Sequence, residues 1–549
     1  MLVLPAATAP APSPDLLLEE ATVYVAADAR PERASILILG GRIAFVGDPA
    51  EARRRAGAAP RVPLPGRFVF PGWMDAHLHL LGLGKSLEIA ALRGASSADD
   101  AAARMARAAG TLPPGVWVEG RGWDQNLWAG RAFPDARTLD AAVPGRPAIA
   151  RRVDGHALWV NGAALAAARI GAATPDPPGG RILRRSDGTP SGVLVDNAMA
   201  LVEAAMARAT AADWERWLAA GGAACARAGL TGIQDASAYD AEGIAALERL
   251  AARDALPVRV YATVSSEPAT RAAFFAKGVR VGSGRDFLTV RAVKAYADGA
   301  LGSRGAAMLE DYADEPGSRG LDVMPPERLA EAAADARRHG WQLWIHAIGD
   351  RGNRNALDAY AKAAAEVPRA PAGGDRPRIE HAQVIAPPDF PRFAALGVIA
   401  SIQPTHATSD MPWALERLGP RRLEGAYAWR TLLAAGARLA GGSDAPVESE
   451  RPLLGFYAAV TRQDLDARPP GGWGPGQRLT RPEGLALFTS GAAYAAFEEG
   501  TRGRIAEGFD ADLTVLGGDP MTVPERSIPD LPVAMTIVGG RIRHGAPGP

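Results

Sequence analysis

His77 and His79 stand two residues apart in Phe70-Pro71-Gly72-Trp73-Met74-Asp75-Ala76-His77-Leu78-His79. Alternate side chains of a β-strand share a face, so the two imidazoles project together. Side by side, two neutral imidazoles make half of a site for zinc or another divalent first-row metal. Alone, the pair could equally be packing or surface histidines. The chain holds only eight histidines, however, and further polar residues end apolar runs downstream. His346 closes Trp344-Ile345-His346, His381 closes Arg378-Ile379-Glu380-His381, and Asp444 follows Ala440-Gly441-Gly442-Ser443. Each could singly be a hydrogen-bonded core or loop residue; together they suggest one converging site.

Lys294 joins this set on different grounds. Arginine carries nearly all the positive charge, and the only lysines are Lys85, Lys277, Lys294 and Lys362. Lys294 lies well inside the apolar run 289–297, where an ammonium is costly unless paired or deprotonated. A salt bridge, for instance to Asp298, is one reading, although arginine would serve there as well. The other uses what arginine lacks: a neutral amine can add carbon dioxide and become a carbamate, an anion able to bridge two metals.

Elements must position these residues. From about residue 229, short apolar runs at 230–234, 258–264, 288–297, 342–346, 378–381, 398–403 and 438–443 alternate with Ala-rich helical stretches such as 326–339, closed by Gly340, and 355–367. Alternating strand and helix means a parallel sheet. With the His77–His79 strand the count is eight, which closes a (β/α)8 TIM-like barrel of the α/β class, whose working residues lie at the C-terminal strand ends. At the N-terminal end, 36–39 and 42–46 join through Gly40-Gly41 as a hairpin, after a strand at 21–25. Residues 511–516 and 535–542 read the same way. The chain is therefore expected to divide into a loose Ala/Pro-rich tail at 1–14, a small β-sandwich domain built from both termini (15–69 and 498–549), and a barrel domain at 70–497. Residues 80 to about 225 carry Trp117, Trp123, Trp128 and Trp159, a Pro/Gly-rich segment at 174–181 and many turn signals. Too long for a loop, they are expected to form a subdomain inserted after the first barrel strand.

Bulk composition narrows the function. Sixty-one basic and sixty-one acidic residues balance over 549, so neither nucleic acid nor an anionic membrane is the expected partner. One cysteine, Cys225, excludes an intrachain disulfide and a Cys-rich zinc cluster. Without a basic leader or a run of about 20 apolar residues, the expectation is a soluble cytoplasmic protein acting on a small molecule, with self-association into a homo-oligomer left open.

The ordered set Pro71-Gly72-Trp73-Met74-Asp75-Ala76-His77-Leu78-His79, Lys294, His346, His381 and Gly442-Ser443-Asp444 resembles the amidohydrolase superfamily. Longer stretches resemble its YtcJ-like branch, amidohydrolase family 3, which includes N-substituted formamide deformylases. These are Lys294-Ala295-Tyr296-Ala297-Asp298-Gly299-Ala300-Leu301-Gly302-Ser303-Arg304, Ile345-His346-Ala347-Ile348-Gly349-Asp350-Arg351, Ile379-Glu380-His381-Ala382-Gln383 and Gly442-Ser443-Asp444-Ala445-Pro446-Val447-Glu448. The resemblance runs from about residue 16 to the end and includes Gly503-Arg504-Ile505-Ala506-Glu507-Gly508-Phe509-Asp510-Ala511-Asp512-Leu513. It implies that His77 and His79 hold one zinc, that His346 and His381 hold a second, that carbamylated Lys294 bridges them, and that Asp444 ligates the first metal while handling protons. With one metal, His77, His79, His346 and Asp444 would suffice and Lys294 could be a plain ion-pair lysine.

Three residues are candidates for the substrate side: His156, in Arg152-Val153-Asp154-Gly155-His156-Ala157, and Trp123 and Trp128 as an apolar lid. His406, after the strand at 400–404, could reach the pocket but is not included among them. The expected reaction is metal-dependent hydrolysis of a non-peptide C–N bond in an N-substituted amide or formamide. Alternatives are hydrolysis of a cyclic amide, carbamate or ester in the same site, and a non-catalytic regulator or ligand-binding protein that has kept the barrel.

Overall fold

The computed structural model describes residues 15–368 and 374–545; the tail expected at 1–14 lies outside them. Eight parallel strands run through the central sheet: β1 (Trp73–Leu78), β2 (Leu230–Tyr239), β3 (Arg259–Ser265), β4 (Leu288–Tyr296), β5 (Gln342–Ala347), β6 (Arg378–His381), β7 (Ile399–Ile402) and β8 (Arg438–Gly441), with the short strand Arg280–Gly282 paired antiparallel to β4. They neighbour one another in chain order, the arrangement of a (β/α)8 barrel. The barrel closes just beyond β8, where Asp444 N–H donates to His77 O (2.7 Å) and His79 N–H donates to Ala445 O (2.8 Å). Closure and candidate site are thus the same few residues.

Strands buried on both faces read as continuous apolar runs, and every residue of β1 and β5 is buried. Around them lie α1 (Leu80–Ser86), α2 (Ala211–Arg227), α3 (Pro326–His339) and α4 (Asp350–Glu366), among others. Helix α3 spans the expected residues: Pro326 opens its first turn and Gly340, at φ 73°, ends it in a left-handed cap. Helix α4 begins five residues before the expected start. Gly349, just ahead of the helix, and Gly352, in its first turn, serve close approach. A Cβ on Gly349 would lie 1.9 Å from Ala307 O, and one on Gly352 would lie 2.4 Å from Asp298 Oδ2.

Between α1 and α2 lies a six-stranded sheet in the order Gly180–Arg184, Pro190–Asp196, Ala157–Val160, Ala148–Arg152, Val118–Trp123, Ala90–Ala91. The helices at the two ends of the expected insertion, α1 and α2, pack on each other. A Cβ on Gly84 would meet Trp217 O at 1.8 Å, and one on Gly221 would meet Leu80 O at 2.7 Å.

Strands from both termini share one hydrogen-bonded sheet. Its order is Arg541–His544, Val533–Val538, Leu513–Leu516, Phe68–Pro71, Leu16–Val23, Glu32–Leu39, Arg42–Gly47, with Arg61–Pro63 also paired to Leu16–Val23. Leu18, Ile36, Val69, Leu513 and Ile537 lie in its core. Strand Phe68–Pro71 runs directly into β1 through Gly72, whose N–H donates to Asp512 O (2.8 Å) and where a Cβ would lie 2.2 Å from Thr231 Oγ1. Among the described residues, no helix is long and apolar enough to cross a membrane.

Candidate metal centre

The strand ends deliver the expected side chains to one cavity. Alternation on β1 turns Asp75 and His77 the same way, and Asp75 Oδ1 accepts the N–H groups of His77 and Ser443, both at 3.0 Å. Burial pushes Asp75 up to about 6 against those donors. The His77 Nδ1 edge faces Glu380, which Arg378 holds through Nε–Oε1 (2.8 Å) and Nη2–Oε2 (3.0 Å). Burial opposes ionisation of Glu380, but Arg378 and His77 outweigh it and hold the carboxyl down to about 2. With its Nδ1 thus engaged, His77 turns Nε2 toward Asp444.

Ring centroids give the convergence: His77–His79 5.5 Å, His77–His381 5.0 Å, His346–His381 4.5 Å and His381–His406 5.7 Å. Asp444 lies among them, with Oδ1 3.1 Å from His79 Nε2 and 3.5 Å from His77 Nε2, and Oδ2 3.6 Å from His406 Nε2. Burial raises the Asp444 carboxyl, but His77 and His79 overcome it and hold it well below the usual range. Burial pushes His79 down to about 4, and His346 and His381 well below the ordinary imidazole value. Neutral imidazoles are the form that binds metal. His381 and Asp444 occupy left-handed backbone (φ 74° and 59°), strain of the kind that gathers at functional sites.

Lys294 is 1% exposed on β4, and its Nζ has no hydrogen-bond partner among the described residues. Burial lowers it to about 8, although Glu380 and Asp444 favour the charged form. The ion pair with Asp298 is not formed. That carboxylate accepts instead from the N–H groups of Ile348 (3.0 Å), Gly349 (2.7 Å) and Ala307 (2.8 Å), bracing the turn after β5.

His156 reaches the cavity from the inserted sheet. Its Nδ1 meets Asp196 Oδ1 at 2.6 Å and its ring lies 4.9 Å from that of His346. Trp123 and Trp128 do not reach it, a correction to the expected lid. They sit in the core of the inserted sheet, and their indole N–H groups donate to Ala150 O and Ala95 O, both at 2.8 Å. Large aromatics in an irregular stretch fill its core here, as they commonly do. Two site residues were not among the expected candidates. His406, just after β7, lines the cavity and carried the same signal as His346 and His381, a polar residue following a barrel strand. Glu380 was visible only as a neighbour of His381.

Four buried polar atoms here lack a hydrogen-bond partner among the described residues: His77 Nε2, Lys294 Nζ, His406 Nε2 and Asp444 Oδ1. Buried polar groups are ordinarily satisfied, so orphans gathered in one place call for a further partner. His77, His79 and Asp444 form one cluster of donor atoms within 4.8 Å of one another, and His381, His406 and Asp444 form another. Nitrogen and carboxylate donors in such sets suit a divalent transition metal. His346 turns Nε2 toward Gly299 O (3.3 Å), leaving Nδ1 as its other donor.

The family model described as "Amidohydrolase family" matches residues 62–544. The chain belongs to the amidohydrolase family. As an amidohydrolase it is similar to YtcJ of Bacillus subtilis (strain 168), 35% identical over 88% of this chain and 90% of that protein. It is 28% identical to the N-substituted formamide deformylase of Arthrobacter pascens, over 97% of this chain and 99% of the relative. Among solved structures, an uncharacterized metal-dependent hydrolase from Pyrococcus horikoshii OT3 superposes with a TM-score of 0.75 at 26% identity, covering 93% of this amidohydrolase and 99% of that chain.

Proposed function

We propose that this amidohydrolase uses bound divalent metal to hydrolyse a non-peptide C–N bond, in an N-substituted amide or formamide. The observation that carries the reading is the convergence of orphaned donors on Asp444 at the barrel mouth. The likeness to N-substituted formamide deformylase supports the substrate class. His77, His79 and Asp444 would hold one ion, while His346 and His381, with His406 beside them, would hold a second; zinc suits these donors. When bound, such an ion lowers the pKa of water and polarises a carbonyl oxygen. Lys294 would bridge the two ions after its neutral amine adds carbon dioxide and releases a proton, giving a carbamate with two free oxygens.

The chain's own residues supply the rest. Glu380, clamped by Arg378, keeps the His77 ring oriented. Asp444, held ionised, accepts the proton of the attacking water and returns it to the leaving nitrogen. His156, on Asp196, stands at the substrate side of His346.

The test is a panel of formamides, N-acyl amines, lactams and esters assayed with zinc- and bicarbonate-loaded protein, with metal counted by elemental analysis. Open-chain amides or formamides should turn over, with about two metals per chain. Asp444→Asn should keep much of the metal and lose turnover by about 10²–10⁴-fold. Turnover confined to lactams or esters would replace the amide reading, and near-wild-type turnover in Asp444→Asn would remove Asp444 from proton transfer.

A further inference from the structure

The cavity has two lobes that meet at His156, His346, His381 and Asp444. The more closed lobe is walled on one side by Leu301, Ile348 and Trp413. The wider lobe is bordered by Arg121 and Arg151 of the inserted sheet. The acidic groups of the wide lobe are nearly all engaged. Asp196 holds His156 (2.6 Å), Asp154 pairs with Arg152 and accepts the His156 N–H (3.0 Å), Glu203 pairs with Arg151, and Asp444 faces the histidines.

Arg121 is the exception on the cationic side. Half-buried, it has no carboxylate within ion-pair distance among the described residues. It donates once, from Nη2 to Val153 O (3.3 Å), and its buried Nε has no partner. Burial and the neighbouring Arg151 disfavour its charge, while Asp444 and Asp154 favour it. A guanidinium so placed gains from an incoming anion. With Arg151 neutralised by Glu203, the lobe offers one unpaired positive charge in a planar fork, which matches one carboxylate.

We propose that Arg121 is a substrate-binding residue: the substrate carries a carboxylate that the Arg121 fork receives in the wide lobe, while an apolar portion fills the closed lobe. This assignment rests on the hydrolytic reading above and narrows its substrate class to N-acylated or N-formylated amines bearing a carboxylate.

Matched probes test it: N-formyl- and N-acetyl-phenylalanine against their carboxamides, with metal-loaded wild type, Arg121→Gln and Arg121→Lys. Charge-assisted pairing predicts a KM for the acids lower by about 10- to 100-fold in the wild type. Arg121→Gln should remove that preference through KM, and Arg121→Lys, which keeps charge but loses the fork, should keep only part of it. A wild type that does not prefer the acids, or a preference intact in Arg121→Gln, would overturn the assignment. Should Arg121→Gln fail to fold, an undiminished preference in Arg121→Lys does the same. If no probe is hydrolysed, the hydrolytic reading fails by itself and calorimetric titration decides Arg121. Tighter binding of acid than carboxamide, lost in Arg121→Gln, sustains the assignment; equal binding by wild type and variant overturns it.

Discussion

The Lys294 amine has no hydrogen-bond partner among the described residues, and burial lowers it to about 8, so its neutral, reactive form is accessible near neutral pH. Asp298, the most obvious ion-pair partner in sequence, is engaged by three backbone N–H groups. Lys294→Arg keeps the charge but cannot be carbamylated. If the carbamate bridges two ions, Lys294→Arg should bind less metal by elemental analysis and be nearly inactive, whereas full activity would refute the carbamate. Lys294, like His77, His79, His346, His381 and Asp444, could be found in sequence because each stands in or at the end of a short apolar run. The residues that orient or extend the site were harder to see. Glu380 adjoins His381 and acts through His77, more than 300 positions away, so its role depends on barrel register that no local pattern encodes. Arg121 lies in the irregular stretch, where nothing local separates a cavity arginine from a surface one.

Strand β6 shows how an element converts register into chemistry. Arg378 and Glu380, two apart, share the barrel interior and are both fully buried. The Arg378 guanidinium donates to Ala76 O of β1 (2.7 Å) and Ser401 Oγ of β7 (2.9 Å), reaches Gln234 of β2, and lies 3.8 Å over the Trp344 ring of β5. One side chain therefore ties β6 to four other strands and braces the carboxylate that aims His77. Removing one member of a buried ion pair costs about 3–5 kcal/mol, because the other charge is left uncompensated. Arg378→Met should lose about that much in denaturant unfolding and bind metal more weakly, since Glu380 would no longer be held against His77. Stability and metal affinity both near wild type would show that the clamp is dispensable. The eight strands were legible from alternation and length, and α3 from its proline and glycine ends. The inserted sheet was not, because its tryptophans and turn signals show that structure exists without saying which face each ring takes.

At the scale of the whole molecule, the terminal sheet is attached to the barrel at the point where β1, which carries His77 of the candidate metal centre, begins. Asp512 accepts from Arg259 at the start of β3 (2.7 and 3.1 Å) and from Gly539 N–H (2.8 Å), while its carbonyl receives Gly72 N–H (2.8 Å) just ahead of β1. Arg502 adds to the cluster through Asp510 (2.9 Å), and these four side chains are at most 7% exposed. Burial alone would raise the Asp512 carboxyl, but Arg259 and Arg502 overcome it and hold it below the ordinary value. A carboxylate lowered in the folded state adds stability that is complete above its unfolded pKa, about 4. That contribution disappears as pH falls through the lower folded value. Asp512→Asn should therefore be less stable than wild type by about 3 kcal/mol near pH 7, with Arg259 left only the more distant Asp510 carboxylate (3.7 Å) while Arg502 keeps Glu498. The gap in unfolding free energy should stay constant down to about pH 5 and narrow below about pH 4, as wild-type Asp512 takes up its proton. Denaturant titrations of both proteins across that range measure it. A gap that persists unchanged into acid would mean that Asp512 acts through packing or its hydrogen bonds, and not through its charge.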